Sequence, residues 1–275
     1  MLSAYLPDAL DVPPEQALLV VDMKGYSQIP EADMAPTRAD LDMILDTVLE
    51  QSKISDARRL ETAVKDRGDG AIFVLPSRHA ARLVDPFLTY LGHALGNREQ
   101  SRLDSAPVIQ LRASVHVGPL EPPDHRGGAA NDACRLVDSD AARQAMAAAE
   151  ANRLLLAAAV SDTVFRHTVR AGRTRTLKQH QFHRATARVD NKPGFEETCW
   201  LFVPGLVPAV ISPYLTGDGS VVAPGEQDQA RQHRKKDKSA EELRAEVRPQ
   251  QKGKASGKSR LVQVGRDYIS GEEQS

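Results

Sequence analysis

The sequence predicts an α+β domain with a mostly antiparallel sheet and helices packed on one face. Three observations support this fold class. A near-continuous apolar stretch, "ALLVVDM", opens the domain at residues 17–23. An Asp-Gly turn joins two apolar stretches over residues 59–76, a strong hairpin signal. Segments of helical and strand character then alternate to about residue 210, which is typical of strands and helices in one mixed layered domain.

Each element of the first half follows from its apolar pattern. The run at 17–23 predicts a strand that is buried on both faces. Residues 38–54 carry apolar side chains at helical spacing and predict a helix. The turn "DRGDG" joins two predicted strands within 59–76. Residues 77–100 predict one helix, for which Ser77 is a suitable N-cap.

The second half continues the alternation. Residues 107–120 alternate for most of their length and predict a strand, and residues 127–153 become helical after their glycines. The apolar run at 154–160 predicts a buried strand, followed by a short capped helix. The stretches "FHRATARVD" and "ETCWLFVPG" predict a closing pair of strands.

A change of composition divides the chain. Residues 1–14 form an N-terminal extension, and residues 15–210 form the folded domain. Residues 211–260 are predicted to be a disordered basic linker, because from Asp228 onward the sequence is basic and almost free of apolar side chains. Residues 261–275 end the chain in a short β-prone interaction tail.

The overall composition excludes several classes of protein. The 275 residues are 41% hydrophobic and 27% charged with a formal net charge of −1, so no global charge favours nucleic acid or an anionic membrane. The two cysteines, Cys134 and Cys199, lie far apart, which fits a reducing cytosol and no disulfide or zinc scaffold. The start lacks a signal-peptide pattern, and the longest apolar run is too short to span a bilayer. We therefore expect a soluble, cytoplasmic protein without a nucleic acid partner.

Two aspartates are the first candidates for chemistry. Asp22 ends the buried strand and Asp69 lies in the turn of the neighbouring hairpin. Carboxylates at adjacent strand ends can hold divalent cations together with substrate phosphates, and two such ions suit phosphoryl chemistry. The bend that follows at Gly25 offers backbone N–H groups to phosphate oxygens. Aspartates are also common turn formers, so spacing alone leaves that interpretation open.

Six segments in order carry a resemblance to a known family. "VVDMKGYS" resembles the opening motif of class III nucleotidyl cyclases, and "KDRGDGAIFVL" resembles their second metal-binding segment. "LRASVHVGPL", "GGAANDACRL", "LLLAAAVSDTVF" and "VDNKPGFEETCWLF" resemble the later segments of the same catalytic domain. The resemblance spans about residues 15 to 205 and implies a ferredoxin-like class III cyclase fold. It also implies conversion of ATP to 3′,5′-cyclic AMP and pyrophosphate in bacterial signalling or defence.

The resemblance assigns the metal and phosphate ligands. Asp22 and Asp69 match the metal-binding aspartates, and Met23 would add its backbone carbonyl to a site for two Mg²⁺ or Mn²⁺ ions. Gly25, Tyr26 and Ser27 match the substrate-binding bend.

The remaining matches concern the nucleotide. Lys65 and Asp124 match the base-reading pair in its adenine-selecting form, since an ammonium donates to a ring nitrogen while a carboxylate accepts from the N6 amino group. Asn131 and Arg135, four residues apart on one helix face, match the residues that orient the ribose and neutralise transition-state charge. Lys192 matches the lysine that holds the terminal phosphates. His116 is interpreted as structural.

In the family each site is shared by two chains, so the resemblance implies a symmetric homodimer with two sites. One chain would supply the aspartates and its partner the base-reading, ribose and phosphate residues. The segment between Pro119 and Gly127 is shorter than the family's usual hairpin arm, so a cyclic GMP or pyrimidine product stays open. A catalytically inactive scaffold that recruits partners through its tail also stays open.

The tail carries a second, shorter resemblance. "LVQVGRDYIS" at 261–270 resembles the core of the RIP homotypic interaction motif and its bacterial amyloid-signalling relatives, with Val262–Gly265 as the matching residues. Such segments stack in register, so the resemblance implies an effector protein with a similar motif. A chance β-prone tail remains the alternative.

Overall fold

The structure is a computed structural model of the chain, and it describes residues 11–54, 64–66 (as strand only), 68–121, 127–190, 192 and 194–215. Most of the predicted linker and the whole predicted tail lie outside these residues, as does Asp124. None of the described helices combines the length and apolar character needed to cross a bilayer.

The described part is built on one seven-stranded sheet. The strands, in chain order, are β1 Glu15–Met23, β2 Val64–Asp66, β3 Gly70–Pro76, β4 Leu111–Pro119, β5 Leu156–Ser161, β6 His183–Arg188 and β7 Glu196–Phe202. Their order across the sheet is β2-β3-β1-β4-β5-β7-β6. Only the β4–β5 pair is parallel, and the other pairs are antiparallel. The predicted hairpins, β2–β3 and β6–β7, are both present.

The described residues contain six α-helices, which lie between the strands. They are α1 Glu31–Gln51, α2 Ala80–Arg82, α3 Leu88–Ser101, α4 Gly128–Val137, α5 Asp140–Ala151 and α6 Asp162–Phe165. The first helix begins earlier than its apolar pattern predicts, directly after Pro30, because acidic residues suit the first turn of a helix.

Strand β1 is buried on both faces, as its apolar run predicts. Leu19 and Val21 pack into the core that includes residues of α1 and α3, whereas Leu18 and Val20 pack with the alanines of α4. Successive side chains of a strand point to opposite faces, so α4 lies on the face opposite α1 and α3. The α+β prediction is confirmed, but its helices cover both faces rather than one. A strand without a polar face needs a covering layer on each side.

The predicted helix at 77–100 is interrupted in its first half. A short 3-10 turn, Ser77–His79, leads into α2, and Ser77 makes no side-chain cap. Asp85 then adopts an extended conformation (φ −141°, ψ 110°) before Pro86. Proline disfavours helical backbone in the preceding residue and cannot donate the next helical hydrogen bond, so regular helix resumes only at Leu88.

The side chain of Asp85 binds a loop that is distant in the sequence. Its buried carboxylate accepts hydrogen bonds from the Thr176 N–H (2.6 Å), the Thr176 hydroxyl (2.7 Å) and the Leu177 N–H (3.2 Å). Burial raises the pKa of Asp85, but these hydrogen bonds outweigh it and hold the pKa below its ordinary value. The segment before β6 is thereby held against the start of α3.

The predicted helix at 127–153 is two helices. The break falls at Ser139, whose hydroxyl accepts a hydrogen bond from the Ala142 N–H at 3.2 Å and caps α5. Because the two helices are separate, α4 packs on β4 and β1 while α5 packs on β5. Each helix therefore covers a different part of the same sheet face.

Candidate active site

The two predicted aspartates lie on neighbouring strands. Asp22 pairs in register with Gly70, the residue after Asp69, and the Met23 N–H donates to the Asp69 carbonyl at 2.8 Å. Paired strands lie about 4.8 Å apart, so the backbone brings the two aspartates to adjacent positions at one end of the sheet. Asp22 is buried (8% exposed) and Asp69 is half-buried.

Gly70 makes this approach possible. A Cβ atom at residue 70 would lie 2.0 Å from the Val21 carbonyl oxygen and 3.1 Å from the Cα of Asp22. Any larger residue would therefore collide with the backbone of β1. The absence of a side chain at residue 70 therefore lets Asp69 come close to Asp22.

Arg112, which the sequence analysis did not select, contacts the buried aspartate. It stands opposite Asp22 on β4, and its guanidinium donates to Asp22 Oδ2 through Nη2 and, at 3.1 Å, through Nε. The pair compensates the charge of a carboxylate at a strand end that is otherwise apolar. A signal was present in the sequence, since Arg112 is the first of the polar positions that alternate through the buried strand β4, followed by Ser114 and His116.

The turn that carries Asp69 is held by a second arginine. Arg38 of α1 donates from Nη1 to the carbonyls of Gly68 (2.9 Å) and Gly70 (3.1 Å), and its Nε donates to Asp42 at 3.0 Å. The carbonyls on both sides of Asp69 are therefore fixed by one guanidinium. The local sequence gives no sign of this contact, because it joins residues about thirty positions apart.

The bend after β1 has the predicted glycine geometry. Gly25 has φ +72°, in the left-handed region that favours glycine, and precedes a 3-10 turn over Tyr26–Gln28. Within the described residues, the N–H groups of Gly25, Tyr26 and Ser27 donate no hydrogen bond. The Tyr26 side chain packs on the core and its hydroxyl donates to the Met34 carbonyl at 3.3 Å. The bend therefore presents backbone donors, while the tyrosine ring fixes it against α1.

These residues suit divalent cations. Asp22 keeps one carboxylate oxygen outside its contact with Arg112, and Asp69 accepts no side-chain hydrogen bond from any described residue. No cluster of three or more His, Cys, Asp or Glu side chains that could hold a metal ion occurs in the described part of the chain. One or two carboxylates together with substrate phosphates are the usual ligands of Mg²⁺.

Helix α4 carries the predicted ribose and transition-state residues. Asn131 is exposed, whereas Arg135 is half-buried, donates to Asp132 at 3.2 Å and lies 5.6 Å from the centre of the Phe195 ring. The Phe195 N–H in turn donates to the carbonyl of Lys192 at 2.9 Å. The structure thus brings Arg135 beside the turn that carries Lys192, whose side chain is exposed.

This second group is separate from the aspartates. No hydrogen bond or ion pair between described residues joins Asn131, Arg135 or Lys192 to Asp22 or Asp69. One chain therefore holds two groups of candidate residues that no hydrogen bond or ion pair between described residues joins.

The base-reading pair is only partly described. Lys65 lies in β2 opposite Ile72, at the edge of the sheet, but its side chain is outside the described part, as is all of Asp124. Burial lowers the pKa of His116, and the nearby Asp132 carboxylate opposes that shift. The half-buried position of His116 beside α4 fits its interpretation as structural.

Comparison with known proteins gives similarities of structure alone. No family model matches the sequence, and no curated protein matches it. An adenylate/guanylate cyclase/hydrolase from Silicibacter pomeroyi has a TM-score of 0.48 and 21% identity over 70% of this chain and 98% of its own. A guanylyl cyclase domain of the RhoGC fusion protein from Blastocladiella emersonii has a TM-score of 0.43 and 13% identity over 70% and 98%.

Adenylate cyclases from Trypanosoma brucei have a TM-score of 0.43 and 13% identity over 70% of this chain and 91% of their own. With TM-scores below 0.5 and identities below 25%, these similarities do not establish a family for the chain.

Proposed function

We propose that the protein is a class III-type nucleotidyl cyclase that converts ATP to 3′,5′-cyclic AMP and pyrophosphate as a homodimer. The observation that carries this proposal is the pair of aspartates at adjacent strand ends, next to a left-handed glycine bend with free backbone donors. Six ordered motifs in the sequence support the same function.

Asp22, Asp69 and the carbonyl of Met23 would hold two Mg²⁺ or Mn²⁺ ions. When bound, such ions lower the pKa of the ribose 3′-hydroxyl and stabilise both the attacking and the leaving oxygen. Arg112 limits the repulsion between the two carboxylates and keeps Asp22 in place at the end of its strand.

Backbone and cationic groups of the same chain bind the triphosphate. The N–H groups of Gly25, Tyr26 and Ser27 donate to phosphate oxygens, as successive free amides of a bend do for anions. Arg112 adds a guanidinium beside Asp22, so a phosphate at the carboxylate pair lies within reach of a cation.

The second group of residues completes the site from the partner chain. Asn131 orients the ribose, Arg135 neutralises charge that builds on the α-phosphate, and Lys192 binds the terminal phosphates. Their separation from the aspartates within one chain, and the exposure of Asn131 and Lys192, support a site shared across a two-fold axis.

Lys65 and Asp124 of the partner would select adenine. The lysine donates to a ring nitrogen and the aspartate accepts from the N6 amino group, whereas guanine presents the opposite pattern. A cyclic GMP or pyrimidine cyclase would use the same aspartates with a different base contact. In all of these cases the protein acts in signalling, and the tail at 261–270 would recruit an effector protein.

The test measures product formation from each nucleoside triphosphate. The full chain is incubated with ATP, GTP, CTP or UTP and Mn²⁺, and cyclic products are identified by mass spectrometry. We expect cyclic AMP as the main product and its loss in Asp22→Asn and Asp69→Asn, but not in Asp104→Asn, an exposed carboxylate outside the site. A different cyclic nucleotide would refute the base assignment, and no product from any of the four would refute the cyclase.

The recruitment proposal has a separate test. Deletion of residues 261–275 should leave turnover unchanged and abolish capture of a partner that carries a similar motif. Unchanged capture would refute it, and so would loss of turnover without loss of capture.

A further inference from the structure

A cavity of about 470 Å³ adjoins the candidate active site on the side of α5. Its walls come from the end of β1, from β4, from α5 and from the turn at the end of the described chain. Six of its lining residues are Lys24, Arg112, Arg143, Met146, Ala147 and Tyr214. Its volume is in the range of pockets that hold small organic ligands.

The body of the cavity is apolar. Met146 and Ala147 of α5 face the cavity. Arg143 lies one helical turn before them and Glu150 one turn after, so a single face of the helix forms one wall of the cavity. Tyr214 closes another side. It is 9% exposed, and its hydroxyl, which is not fully buried, has no hydrogen-bond partner among the described residues.

The charged groups of the lining are mainly cationic. Lys24 forms an ion pair with Glu150 across the cavity, and Arg112 donates to Asp22. The guanidinium of Arg143 forms no hydrogen bond or ion pair with a described residue. Three cationic side chains and one acidic side chain therefore line the cavity, and Arg143 interacts electrostatically with Asp140 without forming an ion pair.

We propose that this cavity binds a small carboxylate with an aliphatic or aromatic body. The apolar walls would hold the body, Arg143 and Arg112 would pair with the carboxylate, and the Tyr214 hydroxyl would gain a partner. Glu150 lies in the same wall and repels a doubly charged head group, which favours a carboxylate over a phosphate.

Arg112 connects the cavity to the aspartate pair, and Gly25 of the substrate-binding bend also lines the cavity. Because Arg112 lines the cavity and also donates to Asp22, a bound carboxylate and Asp22 compete for the same guanidinium. Removing the charge of Asp22 should therefore strengthen binding in the cavity. This linkage concerns binding alone, so it can be measured without nucleotide or metal and does not depend on the proposed cyclase activity.

The test compares acids with their neutral amides. Binding of octanoate and cyclohexanecarboxylate to the full chain, and of the two corresponding primary amides, is measured by saturation-transfer NMR and calorimetry. We expect each acid to bind more tightly than its amide. Equal affinities, or no binding of either acid, would overturn the proposal.

Three substitutions then locate the site. Ala147→Phe should abolish binding by filling the cavity, and Arg143→Gln should weaken it by about tenfold, the usual scale of one charge-assisted hydrogen bond. Asp22→Asn should strengthen it by several-fold. Arg166→Gln, at an exposed arginine just after α6, is the control and should bind as the natural chain does.

Ala151→Phe at the end of α5 provides a second way to fill the cavity if Ala147→Phe does not fold. Unchanged binding in a folded cavity-filling variant would overturn the location. Unchanged binding in Asp22→Asn would overturn the linkage through Arg112.

Discussion

Gly70→Ala is the substitution that most sharply probes how the fold positions the carboxylates. The added Cβ would lie 2.0 Å from the Val21 carbonyl oxygen, about 1.4 Å closer than ordinary van der Waals contact begins. The atom that it meets belongs to the backbone of the fully buried Val21, so no side-chain rotation can relieve the collision. Strand β3 must therefore move away from β1 at the pair formed by residue 70 and Asp22.

Two consequences follow from that displacement. Overpacking of a buried site costs about 1–3 kcal/mol, so the free energy of unfolding should fall by roughly that amount. A displacement of about 1 Å at reacting groups costs about a hundredfold in rate, so the variant should lose at least that much turnover because Asp69 moves relative to Asp22.

The assay combines denaturant unfolding with cyclic nucleotide formation. Gly96→Ala is the matched control, because a Cβ at this helical glycine meets nothing within 4 Å. That variant should keep full turnover and unfold at the same or a higher denaturant concentration, since alanine favours helix by about 1 kcal/mol over glycine. If Gly70→Ala retains the turnover and stability of the natural chain, the close approach of the two strands is not needed.

Three further predictions concern charged side chains. Arg38→Ala should raise the Mn²⁺ concentration needed for half-maximal turnover by about tenfold, because the turn that carries Asp69 loses its hydrogen bonds from Arg38. An unchanged metal dependence would contradict this role of Arg38. With saturating ATP, Arg112→Ala should lower turnover by about a hundredfold and Arg112→Lys by less. Only a guanidinium contacts Asp22 through two nitrogens. Full turnover in the alanine variant would refute this role of Arg112. Asp85→Asn should lower the free energy of unfolding by about 2 kcal/mol at pH 6. The pKa of Asp85 is lowered in the folded state, so its stabilisation is present above the unfolded pKa near 4 and is lost as the pH falls toward the folded value; a difference that stays constant from pH 6 to pH 3 would contradict this sign.

The apolar patterns allowed the central strand, both hairpins and the adjacency of the two aspartates to be predicted. A continuous apolar run and an Asp-Gly turn are local signals, and antiparallel pairing converts them into a spatial neighbourhood. The positions of the helices relative to the sheet could not be read in the same way. Burial of β1 on both faces already required two helical layers, yet the order of elements alone suggested one.

The missed contacts share a physical cause. Arg112 and Arg38 act on the aspartates from elements that are distant in sequence, and only the strand register and the position of α1 bring them there. The break at Asp85 has a different, local cause, because Pro86 disfavours helical backbone in the preceding residue, and the helical pattern of residues 77–100 outweighed that signal in the prediction. The sequence showed which side chains could do chemistry, whereas the structure was needed to show what holds them.

Complementation between two inactive chains tests the central claim most directly. Asp22→Ala and Arg135→Ala chains with different affinity tags are co-expressed, and the heterodimer is purified through both tags. If each site is shared by two chains, one of the two sites in this heterodimer contains no substitution. The heterodimer should therefore form cyclic nucleotide at about half the rate of the natural dimer, while each homodimer is inactive. A heterodimer of Asp22→Ala and Asp69→Ala chains is the control and should stay inactive, because both substitutions lie in the same half of the site. An inactive Asp22→Ala/Arg135→Ala heterodimer, or activity in either homodimer, would contradict a cyclase whose site is divided between two chains.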